Sequence, residues 1–493
     1  MARPSFRSRS TSPRCSPPSR PPSKTPFARS PRKASSNSMG MGGSGYTAST
    51  PSTGSSTTWS SPIDSRADRV DPRPMDREAF LDRLLAQNQF AIKLGLDAMR
   101  AAVLSTGLQR VARHMVLVGG TNGKGTTAAA LACIAHAMGW RTGLYTSPHL
   151  IDFRERIRVD GVPVSWPDLL RIAPDLLDRF DGRRQPAQGD RPLTYFELTT
   201  LLALEHFRRA GPLDLAVIEV GLGGRLDATN VLDRDLVVLT GVDLDHQEWL
   251  GNTVKAIATE KAALARPGIP CLTTEGAGGI AELERAVRER RGSLERVHCR
   301  VPEPTPRERA LCLAGETLRH LLLDTSTGPP SSSDLAKLDN AVRFARTRLR
   351  WPGRQERRLW EHGTLWLDGA HNAESARASA RWLESTREQR AGGLAAVVGL
   401  SGDRTVREVL SPLLPLVDDW WVTAPSSRGR NAVEVAQELE ALGAVNVSVA
   451  DAAGGALVHA SHHRRDVLVV GSLYLLGDVL DHLGVTADDL ALW

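Results

Sequence analysis

The chain has 493 residues, enough for two or three domains, with 41% hydrophobic and 24% charged residues, an ordinary balance for a globular protein. No apolar run approaches the roughly 20 residues that span a membrane, and the five cysteines (Cys15, Cys133, Cys271, Cys299, Cys312) form no C-x-x-C pair, which argues against a disulfide framework or a zinc site. The net charge of +6 belongs to a tail: the segment before Asp64 carries seven Arg, two Lys and no acid, so the remainder is mildly acidic at −3 and offers no basic face for nucleic acid.

Residues 1–74 are rich in Ser, Pro and Arg and poor in aliphatics. Such a segment cannot bury a core and is expected to be disordered. Its Arg-rich, Ser-rich, acid-free composition also describes an organelle transit peptide, and a start assigned too early is an alternative, because Met75 directly precedes the first credible helix. From Asp76 a helical pattern places Phe80, Leu81, Leu84 and Leu85 on one face. Residues 89–96 lead into a second helix.

Strand and helix signals then alternate. Strands are expected at 115–118, 142–145, 215–220 and 236–240, and helices at 126–138, 166–178, 196–209 and 253–265. Residues 275–345 read as helical and charged, with a loop-like break from Gly328 to Ser333. A second series follows Pro352, with strands at 364–367, 395–398, 420–423, 445–449 and 467–470. The expected architecture is α/β: an N-terminal P-loop ATPase domain with a mostly parallel sheet over 75–350, then a smaller Rossmann-like domain over 351–493.

The chemistry is concentrated at strand ends, where open α/β sheets bind ligands. After the first strand come Gly120, Thr121, Asn122, Gly123, Lys124, Gly125 and Thr126. Glycines that let backbone N–H groups converge, a helix N-terminus and a lysine make a phosphate cradle. The strict G-x-x-x-x-G-K-[ST] pattern is not met: Val118 stands where the first glycine belongs, and Gly125 separates Lys124 from Thr126. Later strands end near Ser147, Glu219 and His246, so these side chains should meet Lys124 at one sheet edge. A hydroxyl and a carboxylate beside a triphosphate suit Mg²⁺; an imidazole is a less usual ligand. Taken singly, each residue also has a plain reading, as a turn cap, a strand-end ion pair or a surface histidine.

Gly120 to Thr126 resembles the phosphate loop of folylpolyglutamate synthases and dihydrofolate synthases, in the Mur ligase superfamily, whose variant carries the extra glycine. Further blocks are similar and occur in the family's order: Tyr145 to Leu150, Thr194 to Glu197, Glu219 to Asn230, Leu244 to Gly251, Glu260 to Ala262, Trp351 to Arg354, Leu367 to Asn372 and Gly471 to Leu475. The resemblance implies an ATP-dependent acid–amino-acid ligase that adds L-glutamate to dihydropteroate or a reduced folate through an acyl phosphate. It implies phosphate binding by Gly120 to Thr126, ATP contacts from Arg354 and Asp368, and Mg²⁺, one ion or two, on Ser147, Glu219 and His246. It also implies pterin contacts from Thr194, Tyr195, Phe196, Glu197 and Leu226, and catalytic parts for Lys124, His246 and Lys261. Lys261 matches a lysine that is carbamylated in related enzymes; its alternative reading is an ordinary helix surface. His371 shares a block with Asp368 and has no assigned role.

One segment departs. Where the family carries His-Gln-x-x-Asn, with the Asn on ATP, this chain has Arg309, which changes the nucleotide contact. Alternatives are a Mur-type ligase acting on a cell-wall precursor and a nucleotide-binding homologue without ligase activity. Otherwise the expected setting is a cytoplasmic monomer, or an organelle-targeted one, with small-molecule substrates and neither nucleic-acid nor membrane partners.

Overall fold

A computed structural model describes residues 75–87, 95–183, 191–323, 330–360, 363–390 and 392–493. The expected tail at 1–74, most of the 89–96 lead-in and the first part of the 328–333 break lie outside the described residues. The two sheets below belong to one compact unit, residues 71–493.

The first sheet has eight strands: β1 (His114–Gly119), β2 (Thr142–Tyr145), β3 (Ile157–Val159), β4 (Val162–Pro163), β5 (Leu215–Glu219), β6 (Leu236–Leu239), β7 (Pro270–Thr274) and β8 (Ser293–Val297). Their spatial order is β4-β3-β2-β5-β1-β6-β7-β8. β1 lies between β5 and β6, parallel to both, with Val118 beside Glu219 and Gly119 beside Leu239. That register puts the loops after β1, β5 and β6 side by side. Only β2–β3 and β3–β4 pair antiparallel. β1, β5 and β6 are apolar along nearly their whole length because helices cover both faces.

One layer buries Ala128 to Ala135 of the helix Lys124–Ala137 against Val116, Val118, Val217 and Val238. The alanines let that helix lie close to the sheet, and its outer side is covered in turn by the helices Pro306–Leu323 and Ser332–Arg348. The other layer buries Leu198, Leu201 and Leu202 of the helix Tyr195–Arg209 with Met115, Leu117 and Ile218.

The second sheet has six strands: β9 (Glu356–Trp360), β10 (Gly363–Asp368), β11 (Leu394–Val398), β12 (Asp419–Val422), β13 (Val447–Val449) and β14 (Asp466–Val470), ordered β13-β12-β11-β14-β10-β9. Five strands are parallel and β9 is an antiparallel edge.

Several expectations shift. The phosphate-loop helix begins at Lys124 rather than 126, since Gly123 takes the left-handed N-cap position (φ +82°) that ends the loop. The expected 253–265 helix is Val254–Lys261 followed by a tight turn, Ala262–Leu264. Residues 275–345 are not wholly helical. They contain β8, whose Glu295 and Arg296 hide the apolar alternation, because it is an exposed edge strand. β3, β4, β7 and β9 were likewise not expected; they are short, prolines begin or end two of them, and β9 is mostly charged.

Candidate active site

The phosphate loop is shaped by its neighbours. Gly120 has φ +143°, and a Cβ there would meet Thr240 Oγ1 at 1.9 Å. Thr240 in turn donates from Oγ1 to Asn122 O (2.6 Å), and Thr121 N donates to Gly241 O (2.9 Å). Gly125, the residue that breaks the common pattern, faces Trp351 and Glu219: a Cβ would lie 3.0 Å from Trp351 Cζ2 and 3.4 Å from Glu219 Oε2. The extra glycine therefore makes room for an indole and a carboxylate beside the loop.

Two ammonium groups converge on one carbonyl. Lys261 Nζ donates to Gly120 O at 2.7 Å, and Lys124 Nζ donates to Gly120 O at 3.3 Å and Thr121 O at 3.1 Å. Burial, helped by the Lys124 charge, lowers the Lys261 amine to about 7. Glu219 is buried; Ser147 N donates to its Oε2 at 3.0 Å. Burial raises this carboxyl above its ordinary value, against the pull of Lys124, Arg354 and Arg156. A carboxylate accepting one backbone N–H keeps lone pairs for a cation, so Ser147 and Glu219 fit a divalent ion. His246 lines the same cavity with its backbone left-handed (φ +48°) and its Nε2 3.9 Å from Asp245 Oδ2. Partial desolvation of the half-exposed imidazole shifts it below its usual value, against the pull of Asp245, and in its neutral form the ring has a lone pair to offer.

Lys124, Ser147, Glu219 and His246 line one cavity of about 700 Å³ between the two sheets, with Thr194 to Glu197, Leu226, Arg354 and Asp368; Lys261 is not part of its lining. Gly120 is absent from its lining but supplies the carbonyl that both lysines share. Thr194 and Glu197 form a capping box for the helix Tyr195–Arg209, with Thr194 Oγ1 donating to Glu197 Oε2 at 2.9 Å. Arg191 grips the same carboxylate through two bonds of 2.7 Å. Their side chains are thus spent on holding the helix start. Tyr195 and Phe196 present rings: Arg156 lies over Tyr195 at 5.5 Å, and Gly221 must be small because a Cβ would lie 2.5 Å from Phe196 Cζ. Asp368 is buried beside the Arg354 charge, yet burial pushes its carboxyl up to about 6.

The second sheet reaches across the cleft. Arg404 Nη2 lies 2.5 Å from Asp245 Oδ1, and Asn372 Nδ2 donates to Asn122 Oδ1 (3.0 Å) and Asp245 Oδ2 (3.3 Å). Asn122 donates to Glu374 Oε2 at 2.6 Å. Burial opposes the Asp245 charge, but His246, Arg404 and His371 together hold its carboxyl well below the usual range. His371 Nδ1 sits 2.7 Å from Gly369 O, so the ring proton is on Nδ1 and Nε2 is left as an acceptor. Arg156, Asp245, Arg404 and Glu374 escaped the sequence reading as functional residues. Asp245 and Asn372 lay inside recognised blocks, but which side chains cross a cleft depends on tertiary contacts.

A two-sheet α/β protein with a glycine- and lysine-bearing loop at the end of β1, buried oxygens of a kind that suits a cation and a second sheet bonded across the cleft has the layout of a two-domain, nucleotide-dependent ligase. Residues 356–482 match the family described as Dihydrofolate synthetase, C-terminal domain. The dihydrofolate synthase/folylpolyglutamate synthase of Escherichia coli K12 is 34% identical over 405 residues, covering 79% of this chain and 91% of that protein. Among solved structures, E. coli FolC in complex with DHPP and ADP superposes with a TM-score of 0.69 at 28% identity, over 83% of this chain and 97% of that one. The Yersinia pestis bifunctional folylpolyglutamate synthase/dihydrofolate synthase complexed with AMPPNP and Mn ion does so with 0.68 at 30% identity, over 83% and 98%. The chain belongs to the dihydrofolate synthase/folylpolyglutamate synthase family.

Proposed function

We propose that this cleft carries out the family's ligation through the residues named above. The chain is an ATP-dependent ligase that joins L-glutamate to the carboxylate of a pterin or folate substrate, as dihydrofolate synthase, folylpolyglutamate synthase or both. It uses ATP and a divalent metal. The observation that carries the residue assignment is the meeting of Lys124 and Lys261 on Gly120 O beside buried Glu219.

In this reading Gly120 to Thr126 seat the triphosphate, and Lys124 swings from its loop carbonyls to the phosphates. Ser147, Glu219 and His246 would hold the metal, which would supply positive charge beside the transferring phosphoryl group. The substrate carboxylate attacks the γ-phosphate as the bond to ADP breaks, and the glutamate amine then displaces phosphate from the acyl phosphate, giving the amide, phosphate and a proton. Tyr195, Phe196 and Leu226 make the wall for the aromatic substrate, with Thr194 and Glu197 fixing that wall in place. Arg354 and Asp368 close the nucleotide side. The neutral Nε2 of His371 is an acceptor suited to the incoming ammonium. A neutral Lys261 amine can add CO₂, so carbamylation, giving a carboxylate-like group, is part of the reading. A division at about residue 350, monomeric solution state and a cytoplasmic location, with organelle targeting as the alternative, complete it. No described helix is long and apolar enough to cross a membrane.

ADP release by the full chain with L-glutamate, Mg²⁺ and either dihydropteroate or tetrahydrofolate tests the function. Release above the substrate-free blank is expected with at least one of them; a blank-level result with both removes the reading.

A further inference from the structure

The segment 487–493 follows the helix Leu473–His482, whose Leu475 and Leu476 pack with β10 and β14, yet it runs into the core of the first sheet. Leu492 is buried with Val116 and Leu144, and Trp493 lies against the same cluster. A Cβ on Gly161, whose φ is +80°, would lie 2.6 Å from the Trp493 ring, so only glycine leaves room for the indole. Asp488 pairs with Arg154 at 3.4 Å. Leu490 O accepts from Arg158 Nη1 at 3.0 Å, across 332 positions of the chain.

Arg158, on β3, is 1% exposed. Its acceptors among the described residues are three carbonyls: Glu155 O at 3.1 Å, Gly161 O at 3.3 Å and Leu490 O. A buried cation left with an unmet donor is costly, so Leu490 O completes a cage that the first sheet's own residues leave short. Glu155 O belongs to the peptide that leads into Arg156. Arg156 O in turn accepts from Thr146 N at 3.0 Å, so the Arg156 backbone is fixed on both sides. The Arg156 side chain, its Nε donating to His149 Nδ1 at 2.8 Å, lines the cavity over the Tyr195 ring.

We propose that the segment 487–493 is a positioning element for the pterin wall: through Leu490 O and Arg158 it holds the peptide before Arg156, and with it the Arg156 head against Tyr195. The inference rests on the assignment of Tyr195 and Phe196 to that wall. Neither Arg158 nor Trp493 lines the cavity, so both act through Arg156. Trp493 acts by seating Gly161, whose carbonyl is one of the three acceptors.

The test is steady-state kinetics of the full chain for Arg158→Met, Arg158→Lys and Trp493→Ala, with KM measured separately for the pterin or folate substrate and for ATP. Arg158→Met should raise KM for the pterin or folate substrate about tenfold, the size expected for a lost hydrogen bond at a charged group, with KM for ATP unmoved. Arg158→Lys, which retains a charged donor, should recover part of that rise, and Trp493→Ala should raise the same KM alone. A substrate KM unmoved in either Arg158→Met or Trp493→Ala, a rise shared with KM for ATP, or a loss confined to kcat overturns the proposal. If Arg158→Met does not fold, Trp493→Ala decides alone, since the Trp493 ring is only half-buried. A native protein inactive on every pterin and folate substrate is a different result and removes the ligase reading itself.

Discussion

At the scale of single residues, the phosphate site is decided by which neighbours leave no space and which share a charge. Gly125→Ala brings a methyl to 3.0 Å from Trp351 and 3.4 Å from the Glu219 carboxylate. The expected outcome is a kcat lowered about tenfold or more with the fold retained, checked by steady-state kinetics and circular dichroism, because geometry rather than core volume is disturbed. On the proposed reading Lys124→Ala removes a cation beside the transferring phosphoryl group, and a loss of kcat of about 100-fold or more is expected. Lys261 makes a prediction in pH. Its amine titrates near 7 when folded and near the ordinary 10.5 when unfolded, so between these values the unfolded chain holds the extra proton. Stability therefore rises with pH across that window, and on acidification the loss is complete once the pH is below about 7, where both states hold the proton. Lys261→Met should flatten this slope in urea unfolding measured from pH 7 to 10; an unchanged slope refutes the assignment.

At the scale of elements, four loops meet because β1 lies between β5 and β6, with β2 beyond β5. The latch is the second element-level device. The turn after β11 supplies Arg404 and the turn after β10 supplies Asn372, and both reach Asp245 in the turn after β6. Asp245 is buried, and removing one partner from a buried pair leaves the other charge uncompensated, at a cost of about 3–5 kcal/mol. Arg404→Ala should weaken closure of the second sheet onto the phosphate loop. Small-angle scattering of the nucleotide-bound protein should show a larger radius of gyration than the native protein, with kcat at least about tenfold lower. Arg404→Lys keeps the charge but not the planar fork and should recover only part of the activity.

At the scale of the whole molecule, chemistry at an acyl phosphate requires water to be kept out, and the proposed function assigns that exclusion to the cleft between the sheets. Since both sheets contribute to one cavity, a nucleotide should stabilise the entire unit. At 100 times its Kd a ligand adds about 2.7 kcal/mol, so Mg²⁺ with a non-hydrolysable triphosphate should raise the Tm of residues 71–493 as a single transition. EDTA, by withdrawing the metal, should cancel most of that rise.

The amino-acid order alone determined what depends on near neighbours in the chain. Apolar runs marked β1, β2, β5, β6 and the parallel strands of the second sheet, and helix periodicity marked most helices, because burial on both faces leaves an uninterrupted pattern. The spacing of Gly120 to Thr126 marked the turn between β1 and the helix Lys124–Ala137 that is proposed to seat the phosphates. Exposed or very short strands, β3, β4, β8 and β9, left no such pattern and were missed. What only the tertiary structure decided lies between segments distant in sequence: why Gly125 is there, that Lys261 shares a carbonyl with Lys124, and that Arg404 closes on Asp245. These depend on distances across folded layers, where burial sets charge states and excluded volume sets residue size, and neither quantity is written in local sequence.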